Sequence, residues 1–314
     1  MKTALTILIT ISVTLFSKSY AQDPIFTQPF AGNVNLNTAL AGCDTKGRLT
    51  TNYRDQWSKL NGGGYQTASL YYYQYLTKLN AFGGIHIQKD VQVNTFFTSQ
   101  FSGFYNQNIK IKNLLIRPSI ELTYSQKYLN FKNLTLGNQI DPHAGFISGS
   151  SDQYQYKNYL SVSAGTIFYF RKALIGFSTY NINQPNQSLI NNTVSILPIR
   201  YNLQASYQLD ISKLAISPYA FYCFQNGFDQ LTYGIDFMYN NKINLAFSTR
   251  SRDNVNFIIG YHHKWVGFNY SYDYTVSQLD NHLTGGTHEF ALFFKFWNRG
   301  EHKNYQEIKS VFCR

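Results

Sequence analysis

The sequence predicts an all-β protein: a transmembrane antiparallel β-barrel of about 14 strands, with about 12 or 16 as the alternatives. Three observations lead to this fold class. Apolar and polar residues alternate with a period of two along much of the chain. Aromatic residues make up 17% of the chain and charged residues only 14%. Beyond the N-terminal leader, no apolar run approaches the roughly 18 residues that a membrane-spanning helix needs.

The clearest pair of predicted strands lies between Val266 and Trp297. From Val266 to Val276 every even position is apolar or aromatic, and the residues between them are small or polar. The alternation resumes after a turn-like segment and continues to Trp297. Successive side chains of a strand point to opposite faces, so each strand has one apolar and one polar face. A soluble sandwich with its apolar faces turned inward gives the same pattern, so this pair alone leaves both folds open.

The same alternation recurs from Arg48 onward in segments of about ten residues, the length that crosses a bilayer at a tilt. The connections between them include short Asn-rich turns such as Asn240-Asn241, which suit tight hairpins. Phe131–Leu136 is a further, short candidate. The other predicted strands are Arg48–Trp57, Gly64–Leu76, Leu79–Gln88, Asn94–Tyr105, Leu114–Lys127, Asn158–Phe170, Ala173–Asn181, Leu197–Leu209, Lys213–Phe224, Leu231–Tyr239, Lys242–Thr249, Val255–His262, Trp265–Thr275 and Thr287–Trp297.

Residues 1–21 predict a secretory signal peptide. A basic start is followed by an apolar stretch from Ala4 to Phe16 and by small residues at Ser19 and Ala21, just before the expected cleavage. An exported chain with strands and no spanning helix crosses a bilayer only as a closed barrel, because an open sheet edge leaves backbone groups unpaired in lipid. We therefore expect a multi-pass barrel in the outer membrane of a bacterium. A large secreted β protein is the alternative.

One barrel domain is expected over residues 22–297, and no domain boundary is needed within it. Its first part, residues 22–47, is irregular and rich in Asn, Pro and Gly, and we expect it to pack on or inside the barrel. The longest connection, 137–157, is predicted to be a loop, or a loop with a small strand, on the extracellular side. Residues 298–314 form a polar tail, expected in the periplasm, where it would be available to a partner.

Composition argues against several classes of function. The formal charge of +11 is carried by scattered single residues, without the basic run that follows a phosphate backbone, so nucleic-acid binding is not expected. Three widely spaced cysteines indicate neither a disulfide framework nor a metal site. The neighbours His288 and Glu289 point to opposite faces of a strand and cannot act together as acid and base. His262 and His263 fail as paired metal ligands within a strand for the same reason, although a hairpin position would relax this objection. We expect no enzyme activity and no cofactor.

Five sequence blocks occur in order along the expected mature chain. Two lie near its start, one ends the first predicted strand and two lie in the closing half. The blocks are Gln22–Gln28, Leu36–Gly42, Asn52–Trp57, Tyr272–Leu279 and Gly285–Phe290. Together they resemble the PorP/SprF family of type IX secretion membrane proteins, and the basic, Cys-containing end, Cys313-Arg314, is also similar to that of many members.

The resemblance implies an outer-membrane barrel that works with the type IX apparatus of bacteria that secrete, or glide, by this route. It further implies that the protein docks or anchors exported cargo, such as a large surface adhesin. The expected partners are membrane lipid, the cargo, and the periplasmic lipoprotein and ring components of the machinery. The composition permits a passive porin or small-solute transporter equally well, and this remains the alternative.

Polar side chains on the faces opposite the apolar ones are expected to point into the lumen, where charges commonly tune what passes or binds. The ordinary interpretation is lumen polarity with ion pairing. The sharper hypothesis is that one set of residues holds the N-terminal segment, or the tail of a cargo protein, in place. This set is Arg54, Gln56, Trp57, Asp273, Gly285, Thr287 and Glu289.

Overall fold

The computed structural model describes residues 23–43, 47–60, 63–130, 140–141, 145–146, 155–190, 192–251, 253–277, 281–296 and 308–313. The predicted signal peptide and the short candidate strand Phe131–Leu136 lie outside these residues, as does most of the predicted loop 137–157. No helix in the described part of the chain is long and apolar enough to cross a membrane.

The described residues form a closed antiparallel barrel of fourteen strands, which confirms the predicted fold class and strand number. Each strand corresponds to one of the fourteen longer predicted segments. The strands are β1 Gly47–Gln56, β2 Tyr65–Leu76, β3 Ala81–Gln92, β4 Phe96–Gln107, β5 Leu114–Leu129, β6 Gln155–Phe170, β7 Ala173–Tyr180, β8 Arg200–Tyr207, β9 Leu214–Gln225, β10 Phe228–Tyr239, β11 Ile243–Arg250, β12 Asn254–His262, β13 Val266–Thr275 and β14 Thr287–Phe296.

Every strand pairs with its neighbours in sequence, and β1 closes the barrel by pairing with β14. Two strands are interrupted by a single residue that has no partner in the ladder of the sheet. β4 resumes as Ile109–Ile111 after Asn108, and β8 resumes as Leu209–Ile211 after Gln208. At both breaks the backbone N–H bonds to an adjacent turn, Asn108 to the carbonyl of Asn80 and Gln208 to that of Lys172. The ladder is therefore interrupted without leaving these two donors unpaired.

The two faces of the strands differ as the sequence predicted. On β8, Tyr201 and Leu203 are exposed on the outer surface, whereas Asn202 and Gln204 are buried in the lumen. The same division holds on β12, where Ile259 is 54% exposed and its neighbour Ile258 only 3%. An outer surface of large apolar and aromatic side chains suits a lipid environment, because water would disfavour so much apolar area.

The two rims of the barrel differ in their connections. One rim, here called the short-turn rim, carries turns of two to four residues, including 77–80, 171–172 and 240–242. Asn240 and Asn241 both have positive φ there, which confirms the predicted tight turn. The opposite rim, the long-loop rim, carries the longest connections, such as 181–199 and the one between β5 and β6. The chain enters β1 and leaves β14 at the short-turn rim.

The N-terminal segment, residues 23–43, lies inside the barrel. It contains a short helical turn, α1 Asn33–Leu36, and a 3-10 turn at Thr38–Leu40. Phe30 and Leu40 of this segment are fully buried against side chains of the barrel wall. Its beginning bonds to residues at the long-loop rim, and its end leads into β1 at the short-turn rim, so it runs along the length of the lumen.

The last described residues, 308–313, also lie inside the barrel, against the N-terminal segment. A tail available to a partner was predicted here, but Ile308, Val311 and Phe312 are buried. The reason is that these residues are apolar and join the same hydrophobic cluster as Phe30. The charges that suggested an exposed tail fall mainly within 298–307, outside the described residues, so that part of the prediction remains a prediction.

Candidate functional site

Three buried charged residues of β1, β13 and β14 meet inside the lumen. Arg54 lies directly opposite Glu289 in the pairing of β1 with β14, and Asp273 lies on the adjoining strand β13. All three occupy inward-facing positions of the alternation, so strand pairing alone brings their side chains together. We call Arg54, Asp273 and Glu289 the clamp.

The arginine binds both carboxylates of the clamp. Its Nη2 lies 3.0 Å from Asp273 Oδ2, and its Nη1 lies 3.1 Å from Glu289 Oε2. The exposed fraction of each side chain is 3% or less. Charges buried to this degree are stable only when they are paired and hydrogen-bonded, and a guanidinium can satisfy two carboxylates at once.

The N-terminal segment occupies the clamp. The backbone N–H of Thr27 donates to Glu289 Oε2 at 2.7 Å, and that of Gln28 donates to Glu289 Oε1 at 3.1 Å. The Thr27 hydroxyl donates to Asp273 Oδ2 at 2.6 Å. Hydrogen bonds to ionised carboxylates are the stronger kind, so the clamp fixes this part of the segment to the wall.

The other four predicted contact residues lie near the long-loop rim and do not join the clamp. Thr287 is buried beside Asp273 in the strand pairing, and Gln56 pairs with Thr287 at the end of β1. Trp57 donates its backbone N–H to the carbonyl of Gly286, next to Gly285, whose φ is +76°. These contacts join the connection after β1 to the connection before β14, which indicates a role in loop structure.

A second anchor of the N-terminal segment is Asn37. Its Oδ1 accepts from the backbone N–H of Ala39 at 3.0 Å. Its Nδ2 lies 3.1 Å from the carbonyls of Thr166 and Phe177 and 3.2 Å from Gln204 Oε1, so it bridges three strands of the wall. Sequence reasoning missed this residue, because an Asn in an irregular segment belongs to no periodic pattern.

Gly165 on β6 gives Asn37 the room it needs. A Cβ at this position would lie 2.3 Å from Asn37 Oδ1, which its own hydrogen bonds hold in place. We expect Gly165→Ala to lower the free energy of unfolding by about 1–3 kcal/mol through overpacking. Denaturant unfolding of the purified barrel measures this. Gly103→Ala on β4 is the control, since nothing lies within 4 Å of its added Cβ; equal effects of the two variants would contradict the proposed contact.

The C-terminal end is seated against the N-terminal segment and the wall together. Asn33 Nδ2 donates to the carbonyl of Phe312 at 3.0 Å, and the N–H of Ile308 donates to the carbonyl of Cys43 at 2.9 Å. The ring of Phe312 packs edge-on against Tyr219 of β9 at 6.2 Å between centroids. Both ends of the described chain therefore contribute to one interior structure.

The histidines have structural contacts. His288 faces outward and accepts or donates a hydrogen bond with the Tyr270 hydroxyl at 2.8 Å, while Glu289 faces inward in the clamp. His262 is buried and bonds to Asn269 at 2.9 Å, whereas His263 is exposed. His288 and Glu289 therefore point to opposite faces, as the strand pattern predicted, whereas His263 lies just past the end of β12, in the turn 263–265. Among the described residues, no group of three or more His, Cys, Asp or Glu side chains is placed to hold a metal ion.

Comparison with known protein families identifies this chain. A family model described as "Type IX secretion system membrane protein PorP/SprF" matches residues 18–294. The chain belongs to the PorP/SprF family. The resemblance drawn from the sequence blocks is thereby confirmed, and the barrel is an outer-membrane component of the type IX secretion system.

Other comparisons add less. No curated relative matches this PorP/SprF chain by sequence. Among solved structures it is similar to the outer-membrane protein Omp33 of Acinetobacter baumannii, at 10% identity and a TM-score of 0.47, covering 81% of this chain and 100% of that one. It is also similar to a FadL homologue of Pseudomonas aeruginosa, at 9% identity and a TM-score of 0.49, covering 88% and 100%. Likenesses this distant do not bear on function.

Proposed function

We propose that this PorP/SprF barrel docks or anchors exported cargo at the outer membrane and couples it to the periplasmic machinery of type IX secretion. The observation that carries the proposal is the content of the lumen. Residues 23–43 and 308–313 lie inside it and are fixed to its wall by the clamp, by Asn37 and by the apolar cluster. A barrel filled by its own termini is suited to holding a partner rather than to passing solutes.

The short-turn rim is the proposed contact with the periplasmic lipoprotein and ring components. In outer-membrane barrels the short turns face the periplasm and the longer loops face outward. At this rim Gly47, the first residue of β1, pairs with Phe296, the last residue of β14, and inside the barrel the N–H of Ile308 bonds to the carbonyl of Cys43. Periplasmic components binding at this rim would be close to both segments that lie inside the lumen. Cargo at the cell surface would meet the opposite, long-loop rim.

The alternative function is a passive porin or small-solute transporter. It rests on composition, which suits any outer-membrane barrel. The interior segments count against it, because a diffusion pore depends on an open aqueous lumen, whereas Phe30, Leu40 and Phe312 are fully buried within this one.

The test is a comparison of cells with and without this gene. We expect the cells lacking it to lose one or a few large proteins from the surface, or to release them into the medium, while uptake of small solutes is unchanged. Quantitative mass spectrometry of the surface and medium fractions measures the first, and an uptake assay run in parallel measures the second. An unchanged surface proteome together with impaired uptake would favour the porin and overturn the proposal.

A further inference from the structure

A polar cavity lies inside the barrel, in the half nearer the long-loop rim. Its volume is about 40 Å³, and its wall consists mainly of hydroxyl and amide side chains of β3 to β6. Pro24, Val34 and Asn35 of the N-terminal segment also line it. Asn181, the first residue of the connection 181–199, and Arg200, the first residue of β8, place the cavity next to the long-loop rim.

A buried carboxylate without a full set of partners lines this cavity. Glu121 on β5 is 4% exposed, and its Oε2 has no hydrogen-bond partner among the described residues. Its Oε1 lies 4.0 Å from Nδ1 of His86, beyond hydrogen-bonding distance. The other ring nitrogen of His86 is bonded to the Ser69 hydroxyl at 3.0 Å, which fixes the orientation of the imidazole.

The arginine in the cavity wall, Arg200, is already engaged. Arg200 Nη1 lies 3.5 Å from Asp23 Oδ2, and its Nη2 donates to the carbonyl of Asn35 at 3.2 Å. The guanidinium also stacks over the ring of Tyr180, 4.2 Å from its centroid. Arg200 Nε has no acceptor among the described residues, but the positive charge is matched by Asp23. Of the two carboxylates in this wall, Asp23 is paired with Arg200, whereas Glu121 has only the imidazole of His86 at 4.0 Å, which is positively charged only when protonated.

We propose that Glu121 binds the ammonium group of a lysine-type side chain carried by an exported partner. A buried carboxylate is costly without a cation and gains a charge-assisted hydrogen bond when one enters. The small cavity admits one cationic group, and the hydroxyl and amide oxygens of its wall provide the further acceptors that an ammonium requires. This inference rests on the proposed docking function and assigns part of the docking contact.

The test uses the purified barrel in detergent and isothermal titration calorimetry. The probe is N-acetyl-lysine methylamide, and its neutral analogue N-acetyl-norleucine methylamide has nearly the same shape. We expect the lysine probe to bind and the norleucine probe not to bind. Glu121→Gln keeps the shape of the side chain and removes its charge, and should weaken binding of the lysine probe about tenfold or more.

The matched control is Asp90→Asn. Asp90 is a buried carboxylate of β3, two strands away from β5, that lies outside the cavity lining, and Thr67 and Gln92 already donate to it at 2.7 and 2.8 Å. The Asp90→Asn variant should bind the lysine probe as tightly as the wild-type barrel does. Equal binding of the two probes by the wild-type barrel, no binding of the lysine probe, or full binding by Glu121→Gln would overturn the assignment.

This experiment separates the two proposals. If the lysine probe fails to bind while loss of the gene still depletes the surface proteome, the Glu121 site is wrong and the docking function stands. If the probe binds as expected while the surface proteome is unchanged without the gene, the site is real but does not serve cargo. That outcome overturns the inference that the ligand is a lysine-type side chain of an exported partner.

Discussion

Arg54→Ala should be among the most destabilising single substitutions in this barrel, lowering the free energy of unfolding by about 3–5 kcal/mol. The substitution removes the cation that lies 3.0 Å from Asp273 and 3.1 Å from Glu289, and leaves both carboxylates buried. An uncompensated buried charge accounts for a loss of this size. Unfolding in urea, followed by the difference in gel mobility between boiled and unboiled barrel, measures it.

Two further variants distinguish charge from packing. Arg54→Met combined with Asp273→Asn and Glu289→Gln removes all three charges and should recover much of the stability, since neutral replacement of a buried ion cluster is often tolerated. Lys172→Ala breaks the exposed ion pair with Asp210 and should leave the unfolding midpoint within error. If Arg54→Ala proved as harmless as Lys172→Ala, the clamp would not contribute to the fold.

Truncation after residue 307 should be the second large effect. It removes Ile308, Val311 and Phe312, which are at most 2% exposed, and opens a gap beside Tyr219. Burial of side chains of this size contributes about 1.5–3 kcal/mol each, so we expect a loss of about 4 kcal/mol or more. Phe312→Ala alone should cost about 3 kcal/mol. The same unfolding assay measures both.

Lys309→Ala is the control for the truncation. Its side chain is exposed in the same segment, and the contact with Tyr169 uses its backbone N–H, which the substitution keeps. Stability should be unchanged. If the truncated barrel were as stable as the full chain, residues 308–313 would not pack inside the lumen of the folded protein.

The fold was predictable because every barrel strand has lipid on one side. Lipid and lumen impose opposite preferences on alternate residues, so Tyr201 and Leu203 on one face and Asn202 and Gln204 on the other report their surroundings directly. Strand number followed from counting such segments. The short candidate Phe131–Leu136 lies outside the described residues and stays a prediction.

The site was predictable only in part. Arg54, Asp273 and Glu289 were identified because they are charges on lumen faces, and strand register brings them together. Their hydrogen-bond partners, Thr27 and Gln28, belong to an irregular segment. The path of such a segment cannot be predicted from a periodic pattern of residues.

The burial of residues 308–313 was missed for a related reason. The charges of the tail 298–314 suggested a solvated segment, whereas the apolar residues at 308–313 join the interior cluster. The composition of the whole tail is polar, but the burial of its last residues depends on the few apolar side chains among them.

The central claim, that the termini close the lumen, is tested most directly by electrical recording. The full-length barrel is inserted into planar lipid bilayers beside a variant that lacks residues 23–43 and 308–313. Our account predicts no stepwise ion conductance from the full-length protein and stable open channels from any variant barrel that inserts. Stable channels from the full-length protein, as large as those of the variant, would contradict it.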